Sequence, residues 1–351
     1  MSFTIKNCHT GQSFPSDGAA SILDAALSAG RAFPYSCRGG SCGTCKAKLI
    51  SGEITSGPFG ETALSAAEKS AGYILLCQAK AQSDLEIDAR ELASGPPIPI
   101  RTLPCRVVQI THLSHDVIEL SLKLPQNQSL EYLAGQYIDI LLRDGRRRSF
   151  SIANPPDPEA GITLHIRRVP NGRFTGHVFV GLRERDLLRF QGPFGVFFLH
   201  EGSERPAVLM AGGTGLAPIK AMLQAAFQQN DERPFHLFWG VRSQQDLYQH
   251  SQLQAWSEKH RNLIYTPVLS EPQTEGPWDG ETGWVHEAVL RKFPDLSNVA
   301  LYTSGPPPMI EACISTLMQG QLFERDIYTE RFLTSADAEG LAKKSPLFKH
   351  V

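Results

Sequence analysis

The pattern of apolar and polar positions changes twice along the chain, so three segments of different character follow one another. In the first segment, short alternating runs predict strands at residues 2–6, 12–15, 46–50 and 85–88. An amphipathic pattern over residues 21–29 predicts one helix. Strands and a helix within so short a stretch predict a small α+β domain over residues 1–92.

The second segment also alternates, but its strands follow one another almost without helices. They are predicted at residues 105–110, 117–124, 137–142, 148–152 and 162–169. Only residues 178–182 are predicted to form a short helix. Short strands separated by turn residues predict a six-stranded antiparallel β-barrel over residues 102–201. The proline-rich stretch before it cannot continue a helix or a sheet, so residues 93–101 are predicted to be a linker.

The third segment replaces alternation by fully apolar strands that are separated by helical stretches. Strands are predicted at residues 207–211, 235–240 and 299–303, with a helix at 217–228. Such a succession predicts an α/β domain over residues 202–335, with a parallel sheet and crossover helices. Residues 336–351 are left as a C-terminal tail.

Length, composition and charge narrow the classes of protein. A chain of 351 residues accommodates the three domains, and 41% of its residues are hydrophobic. No apolar run approaches the roughly 20 residues that a membrane helix needs. The first residues lack the basic and apolar regions of a secretory signal, which predicts a cytoplasmic protein. A net charge of −2 argues against a nucleic-acid partner.

The chain contains seven cysteines, and this odd number argues against a disulfide framework. Three thiols follow C-x4-C-x2-C spacing, and a fourth follows about thirty residues later, at Cys37, Cys42, Cys45 and Cys77. This is the plant-type 2Fe-2S pattern, and the glycines between the cysteines allow the loop to curl and aim N–H groups at sulfur. A structural zinc site is the alternative, although zinc sites favour two short cysteine pairs. Cys8, Cys105 and Cys313 are predicted to be packing residues.

The cysteine motif and its flanking elements resemble the ferredoxin family over residues 1–92, which implies a β-grasp-like fold there. Residues 148–151, Arg-Ser-Phe-Ser, resemble the R-x-Y-S flavin motif of the ferredoxin-NADP reductase superfamily. The resemblance implies that Arg148 meets the pyrophosphate of FAD, with Ser149 beside it. It also implies that Phe150 lies along the isoalloxazine ring, and that Ser151 bonds near N5. Phe150 stands where tyrosine is usual, which removes one hydroxyl contact.

A second flavin-binding feature is the segment 172–177, from Gly172 onward, which leads into the short helix predicted at residues 178–182. Backbone N–H groups at the start of a helix favour a pyrophosphate, and the Thr175 hydroxyl adds a further donor. The family resemblance points the same way, with Arg167 on the preceding strand as a flanking contact. These residues complete the predicted FAD site.

Gly213, Thr214 and Gly215 lie between the first strand and the first helix of the third segment, where parallel sheets bind ligands. Their small size allows a nicotinamide dinucleotide to approach the backbone. Arg242 follows the second strand and suits the 2′-phosphate of NADPH, but arginine also occurs here in similar NADH enzymes. NADH is favoured, because reductases with an appended ferredoxin usually use it, and NADPH stays open.

Two further motifs resemble the nicotinamide end of the same superfamily. Residues 304–309 resemble its C-G-P-P-P-M loop, which places Ser304, Gly305 and Pro306 at the nicotinamide, with serine in place of cysteine. Residues 330–332 resemble its closing E-x-F segment, which brings Glu330 and Phe332 to the flavin face. Ser151, Ser304 and Glu330 are therefore the candidate catalytic residues.

The order ferredoxin, flavin, nicotinamide resembles reductase components of bacterial mono- and dioxygenases and the CDP-6-deoxy-Δ3,4-glucoseen reductases. It implies an oxidoreductase that passes electrons from NAD(P)H through FAD and a 2Fe-2S cluster to a partner protein. That partner is expected to be a deoxysugar dehydrase, with an oxygenase component as the alternative. A redox carrier or sensor without nicotinamide turnover is the more distant alternative. No cluster of residues in the sequence indicates a site for an organic substrate.

Overall fold

The protein is described by a computed structural model over residues 2–61, 63–92, 98–157, 159–200, 204–272 and 278–332. The described residues form two compact units, of which the first ends at Ile98 and the second is Pro99–Phe332. Residues 93–97 of the predicted linker, the predicted boundaries at 201/202 and 335, and the tail 336–351 lie outside the described residues. The domain boundaries therefore stay predictions.

The first unit is a mixed sheet with helices beside it, as the α+β prediction requires. Its elements are β1 (Phe3–Asn7), β2 (Ser13–Ser16), α1 (Ile22–Ser28), β3 (Lys46–Ser51), β4 (Ile54–Ser56), α2 (Ala66–Ser70), β5 (Tyr73–Leu75), β6 (Ala79–Ala81) and β7 (Leu85–Asp88). The main sheet has the order β2-β1-β7-β3-β5, with β1 and β7 parallel, while β4 pairs with β6. The predicted fold class is confirmed.

Helix α1 begins where the sequence supplies a cap for it. The Ser21 side chain accepts a hydrogen bond from the Asp24 backbone N–H, which satisfies one of the unpaired donors at the helix start. Ile22, Leu23 and Ala26 are then buried on one face. The helix is thus fixed by a cap and an apolar stripe.

The second unit begins with an antiparallel barrel. Its elements are β8 (Arg101–His112), β9 (Val117–Lys123), β10 (Tyr137–Leu141), β11 (Arg147–Ser151), β12 (Ile162–Arg167), α3 (Arg173–Val180) and β13 (Leu187–Phe194). The six strands have the order β11-β10-β13-β8-β9-β12. A bridge between Ile152 and Leu164 joins the two edges and closes the barrel. The predicted count of six strands is confirmed, and Arg101, placed in the predicted linker, begins the first of them.

One helix prediction in the barrel is wrong. The helix predicted at residues 178–182 begins earlier, because α3 spans Arg173–Val180 and ends at Gly181. Gly172 and Gly176 interrupt the apolar pattern at the start of this helix, so its first turn was not predicted. The helix buries Phe174 and Val178, four residues apart, as the periodicity of a helix demands.

The barrel is followed, in the same unit, by a parallel sheet. Its elements are β14 (Ala207–Gly212), α4 (Leu216–Gln228), β15 (Phe235–Val241), α5 (His250–Lys259), β16 (Leu263–Leu269), β17 (Glu281–Thr282), α6 (Val285–Lys292), β18 (Ala300–Gly305), α7 (Pro307–Leu317) and β19 (Ile327–Arg331). The strand order is β17-β16-β15-β14-β18-β19, so β15, β16 and β17 lie on one side of β14 while β18 and β19 lie on its other side. Ligands bind beyond the carboxyl ends of strands at such a switch point.

The described helices do not include one with the length and apolar character needed to cross a membrane.

Candidate functional site

The four motif cysteines converge in the first unit. Cys42, Cys45 and Cys77 are buried and Cys37 is partly exposed. Their thiols interact in two pairs: the hydrogen bond with Cys37 lowers the pKa of Cys42, and the hydrogen bond with Cys45 lowers the pKa of Cys77. Two thiol pairs are the donor set that two irons need.

The loop around Cys37 turns tightly because it contains glycines in left-handed conformations. Gly40 has a φ of +75°, and a Cβ there would lie 2.6 Å from the Pro58 carbonyl oxygen. The N–H groups of Gly39 and Ser41 each donate to the Cys37 sulfur at 3.4 Å. Such donors stabilise negative charge on the ligand sulfur and tune the potential of a cluster. The residues therefore fit a 2Fe-2S cluster.

The zinc alternative fits the same cysteines poorly. A single zinc ion with Zn–S bonds of about 2.3 Å draws its thiolates to about 3.8 Å from one another. In the described part of the chain, one group of three or more potential ligands has all its ligand atoms within 4.8 Å, and it consists of His115, Asp116 and Asp246. The four cysteines are spread more widely than one zinc ion requires.

Strand β11 carries the flavin motif along the edge of the barrel. Ser151 at its end is buried and pairs with Tyr137 on β10. The half-buried ring of Phe150 rests against Phe174 of α3, with ring centroids 5.6 Å apart. The Ser149 hydroxyl lies 2.6 Å from Asp139 Oδ1, so it anchors the strand locally. The aromatic face that the motif implies is thus fixed by packing against α3.

The start of α3 lies close to this strand and has no side-chain cap, so its N–H groups fit an anion. The Thr175 hydroxyl accepts from Val169 N at 3.1 Å and lies 3.4 Å from Gly172 O, which closes the turn before the helix. The Arg148 guanidinium donates to its neighbouring carbonyl, Arg147 O, at 2.7 Å. Pyrophosphate contacts from Arg148, Gly172 and Thr175 stay predictions.

The Arg167 side chain contacts two acidic residues and the glycine loop of the parallel sheet. Its Nε lies 3.0 Å from Asp116 Oδ2, and its Nη2 lies 3.8 Å from Asp246 Oδ1. A Cβ on Gly213 would lie 2.7 Å from its Nη1. The structure therefore places Arg167 beside the glycine loop of the parallel sheet, and its contact with FAD stays a prediction.

The glycine loop lies at the switch point of the parallel sheet. Residues Gly213–Gly215 form one 3-10 turn between β14 and α4, and Thr214 within it is buried. A Cβ on Gly215 would lie 2.1 Å from the carbonyl oxygen of Ser304, so the loop crosses directly over the end of β18. The glycine loop therefore lies at the position where parallel sheets bind ligands, which fits the predicted role.

The three candidate catalytic residues are joined by a chain of contacts. Ser304 on β18 is the register partner of Glu330 on β19. Glu330 Oε2 lies 3.6 Å from a Cβ position on Gly195, which itself lies 3.0 Å from the Tyr137 ring. Tyr137 is the register partner of Ser151. The structure therefore brings Ser151, Glu330 and Ser304 to one region between the barrel and the parallel sheet.

The remaining predicted residues lie at the ends of the same strands. Gly305 ends β18, and Pro306 caps α7. The Phe332 N–H donates to Gly305 O at 2.9 Å, so the closing segment is tied to the nicotinamide loop. Arg242 is exposed just beyond β15, and its carbonyl accepts from Glu271 N at 2.8 Å.

Ser304 has a buried hydroxyl that lacks a hydrogen-bond partner within the described ranges. A buried polar group without a partner costs about 1–3 kcal/mol, and a ligand amide that pairs with it removes that cost. Because the side chain of Ser304 is fully buried, its contact with the nicotinamide stays a prediction.

We expect Ser304→Cys to accelerate reduction of the flavin by NADH, because it restores the residue usual at this loop and removes the unpaired hydroxyl. The measurement is the rate of flavin bleaching after anaerobic mixing with saturating NADH. Ser304→Ala is the control, since it also removes the hydroxyl but supplies no sulfur. An unchanged rate in Ser304→Cys contradicts the prediction.

Sequence reasoning missed two residues that shape these sites. Asp139 is a buried acid in the otherwise apolar strand β10, and that isolation was the available signal. Trp239 donates from Nε1 to Gly213 O at 2.8 Å and so supports the glycine loop. Nothing in the local sequence around Trp239 indicates this bond, because its partner lies 26 residues away.

A thiol-lined loop, a barrel with a flavin motif and a dinucleotide site on a parallel sheet together define an iron–sulfur flavoprotein reductase. Models of three families match the chain: the 2Fe-2S iron-sulfur cluster binding domain over residues 5–82, the oxidoreductase FAD-binding domain over 104–199 and the oxidoreductase NAD-binding domain over 209–314. The chain therefore belongs to the ferredoxin-NADP reductase superfamily, in the group with an N-terminal plant-type 2Fe-2S domain.

Proteins that match this chain over nearly their full length are reductases or reductase components. The CDP-6-deoxy-L-threo-D-glycero-4-hexulose-3-dehydrase reductase of Yersinia pestis is 41% identical over 335 residues, which cover 95% of this chain and 100% of the relative. The reductase component of phenol 2-monooxygenase from Pseudomonas sp. (strain CF600) is 35% identical, with all of both chains covered. The solved structure of the Amycolatopsis reductase GcoB has a TM-score of 0.78 and 32% identity, covering 94% of this chain and 98% of that one. This protein is an NAD(P)H-dependent oxidoreductase that uses FAD and a 2Fe-2S cluster.

Proposed function

We propose that this reductase supplies electrons to a dehydrase that acts on a nucleotide-linked 6-deoxyhexulose. The observation that carries the proposal is the 41% identity to the Yersinia pestis reductase over its whole length, against 35% for the phenol monooxygenase reductase. The donor that we propose is NADH. We place the reaction in the cytoplasm, where thiol ligands stay reduced.

The cofactors explain why three domains are joined: FAD, when bound, would supply the conversion between a two-electron hydride donor and the one-electron chemistry of a 2Fe-2S cluster. The chain's own contribution is binding and orientation. We assign the cluster to Cys37, Cys42, Cys45 and Cys77. Ser151 and Glu330 orient groups at the flavin edge, since both are buried at strand ends that meet there.

Roles at the nicotinamide follow from the loops at the switch point. Gly213, Thr214 and Gly215 hold the dinucleotide against the backbone, and Ser304 lies directly beneath them at the end of β18, where its carbonyl oxygen packs against Gly215. Gly305 and Pro306 keep the end of β18 open to the ring by turning into α7. These assignments are supported by the packing of the two loops against each other.

An anaerobic titration with NADH and then NADPH tests the electron path. We expect NADH to bleach the visible absorption of flavin and cluster stoichiometrically. Bleaching by NADPH alone overturns the choice of donor. If neither nucleotide bleaches the flavin, the chain is a carrier without nicotinamide turnover.

The acceptor is tested by presenting two partners to the same preparation. The first is the hexulose dehydrase served by the Yersinia pestis relative, with its CDP-sugar, and the second is the hydroxylase component of phenol 2-monooxygenase, with phenol. We expect NADH consumption to depend on the dehydrase and to be slower with the hydroxylase. The opposite order supports the alternative, a reductase of an oxygenase, for which the full-length match to the monooxygenase reductase is the supporting observation.

A further inference from the structure

Four buried or partly buried polar side chains meet where the barrel packs against the parallel sheet. Glu119 on β9 and His165 on β12 are cross-strand partners, with His165 Nε2 3.3 Å from Glu119 Oε2. The other His165 nitrogen, Nδ1, lies 3.2 Å from the hydroxyl of Tyr248. Lys220 of α4 approaches the same carboxylate, at 3.9 Å. Two barrel residues are therefore held between two residues of the parallel-sheet half.

The charges within this group are matched. The hydrogen bond from His165 lowers the pKa of Glu119, which keeps the carboxylate ionised. Burial lowers the pKa of His165, so its ring is neutral, donates from Nε2 to Glu119 and accepts the Tyr248 hydroxyl at Nδ1. Burial lowers the pKa of Lys220, while the Glu119 carboxylate, 3.9 Å from its Nζ, raises that pKa and so favours the charged amine. Buried charges that are paired in this way hold a defined geometry.

Tyr248 and Lys220, the two members of this group in the parallel-sheet half, are each connected to the glycine loop. The Tyr248 ring meets Trp239 edge-on, with centroids 5.1 Å apart, and Trp239 Nε1 donates to Gly213 O at 2.8 Å. Lys220 lies in the first turns of α4, the helix that begins immediately after Gly215. The loop is thus tied to the barrel from both sides.

Lys220 also reaches the flavin side of the barrel. Its Nζ lies 3.5 Å from the carbonyl oxygen of Ala153, two residues beyond Ser151. One side chain therefore contacts both the carboxylate of Glu119 and the segment that leaves the flavin strand.

We propose that Glu119, His165, Lys220 and Tyr248 are positioning residues that set the distance between the glycine loop Gly213–Gly215 and the flavin strand β11. They act through Trp239 and α4 on the nicotinamide site, and hydride transfer depends on that placement because reacting atoms must lie about 3–3.5 Å apart. The inference rests on nicotinamide-driven reduction of the flavin.

The variant Tyr248→Phe tests the proposal, because it removes the hydroxyl and keeps the ring against Trp239. Tyr265→Phe is the matched control: Tyr265 makes the same kind of bond, 3.1 Å to His250 Nδ1, but within the parallel-sheet half. Two readouts are compared in the full-length holoprotein. They are the limiting rate of flavin reduction at saturating NADH and, without nucleotide, amide hydrogen exchange in peptides covering residues 209–220.

In Tyr248→Phe we expect the limiting rate to fall and exchange in the loop to rise, each by roughly fivefold, the equilibrium factor of one lost neutral hydrogen bond. Tyr265→Phe should leave both readouts unchanged. The proposal requires both readouts to change in Tyr248→Phe alone, and any other combination overturns it. Failure of NADH to reduce the unaltered protein instead refutes the function, so the two failures are distinguishable.

Discussion

Replacing Cys77 by alanine is expected to abolish one-electron transfer to a protein acceptor while NADH still reduces the flavin. Cys77 supplies one of the two thiols of its pair, so the cluster loses a ligand. The loss should exceed the roughly 10- to 100-fold cost of removing a supporting contact around a metal site. The flavin and nicotinamide sites lie in the other compact unit and should survive.

Cys8→Ser is the matched control for this prediction, because Cys8 is an exposed free thiol in the same unit, so its predicted role as a packing residue is wrong. Iron content, the visible cluster spectrum and the reduction of cytochrome c are measured beside the rate of flavin bleaching. Cys8→Ser should match the unaltered protein in all four. A Cys77→Ala protein that keeps its cluster and its cytochrome c activity contradicts the ligand assignment.

Replacing Gly215 by alanine is expected to stop nicotinamide-driven reduction without loss of FAD. The new Cβ would lie 2.1 Å from Ser304 O and 3.0 Å from Gly305 N, and both contacts are backbone atoms that cannot rotate away. The glycine loop and the end of β18 must therefore separate. A displacement of about 1 Å is enough to cost on the order of 100-fold in rate, and the crowding should lower the free energy of unfolding by about 1–3 kcal/mol.

Gly320→Ala separates the loss of function from simple crowding. Its Cβ also meets a neighbour too closely, at 2.8 Å, but that neighbour is the flexible end of the Leu290 side chain. Thermal unfolding, FAD content and the rate of flavin reduction by NADH are compared in the two variants. Gly320→Ala should keep the rate near that of the unaltered protein; a Gly215→Ala protein with the same rate argues against the loop's role.

Local sequence patterns were sufficient to predict whether a segment forms a strand or a helix. Strands β14 and β18 and helix α4 lie within one or two residues of their predictions, because buried parallel strands and their crossover helix have unmistakable apolar runs. Helix α3 was displaced, since Gly172 and Gly176 interrupt the pattern on which the prediction depends. Strand β13 was not located, because its alternation is interrupted by the Gly192–Pro193 pair.

The residues of the candidate site also differ in how far the sequence could predict them. Spacing alone identified the four cysteines, because the bonding demands of two irons are written into a short stretch of chain. The position of the Arg167 side chain could not be predicted from the sequence. Its ion-pair partners, Asp116 and Asp246, are both distant from it in the sequence, and they hold it beside the glycine loop. Ion pairs of that kind depend on the packing of one half against the other.

The sequence by itself determined the order of the three segments and the cofactors, and it supplied the candidate residues for their sites, since each is encoded by a local period or a short motif. Only the tertiary structure decided how the glycine loop is held. His165 and Tyr248 are 83 residues apart, and Glu119 and His165 are 46 residues apart. No local pattern encodes such contacts, because they exist only once the closed barrel and the parallel sheet have packed against each other.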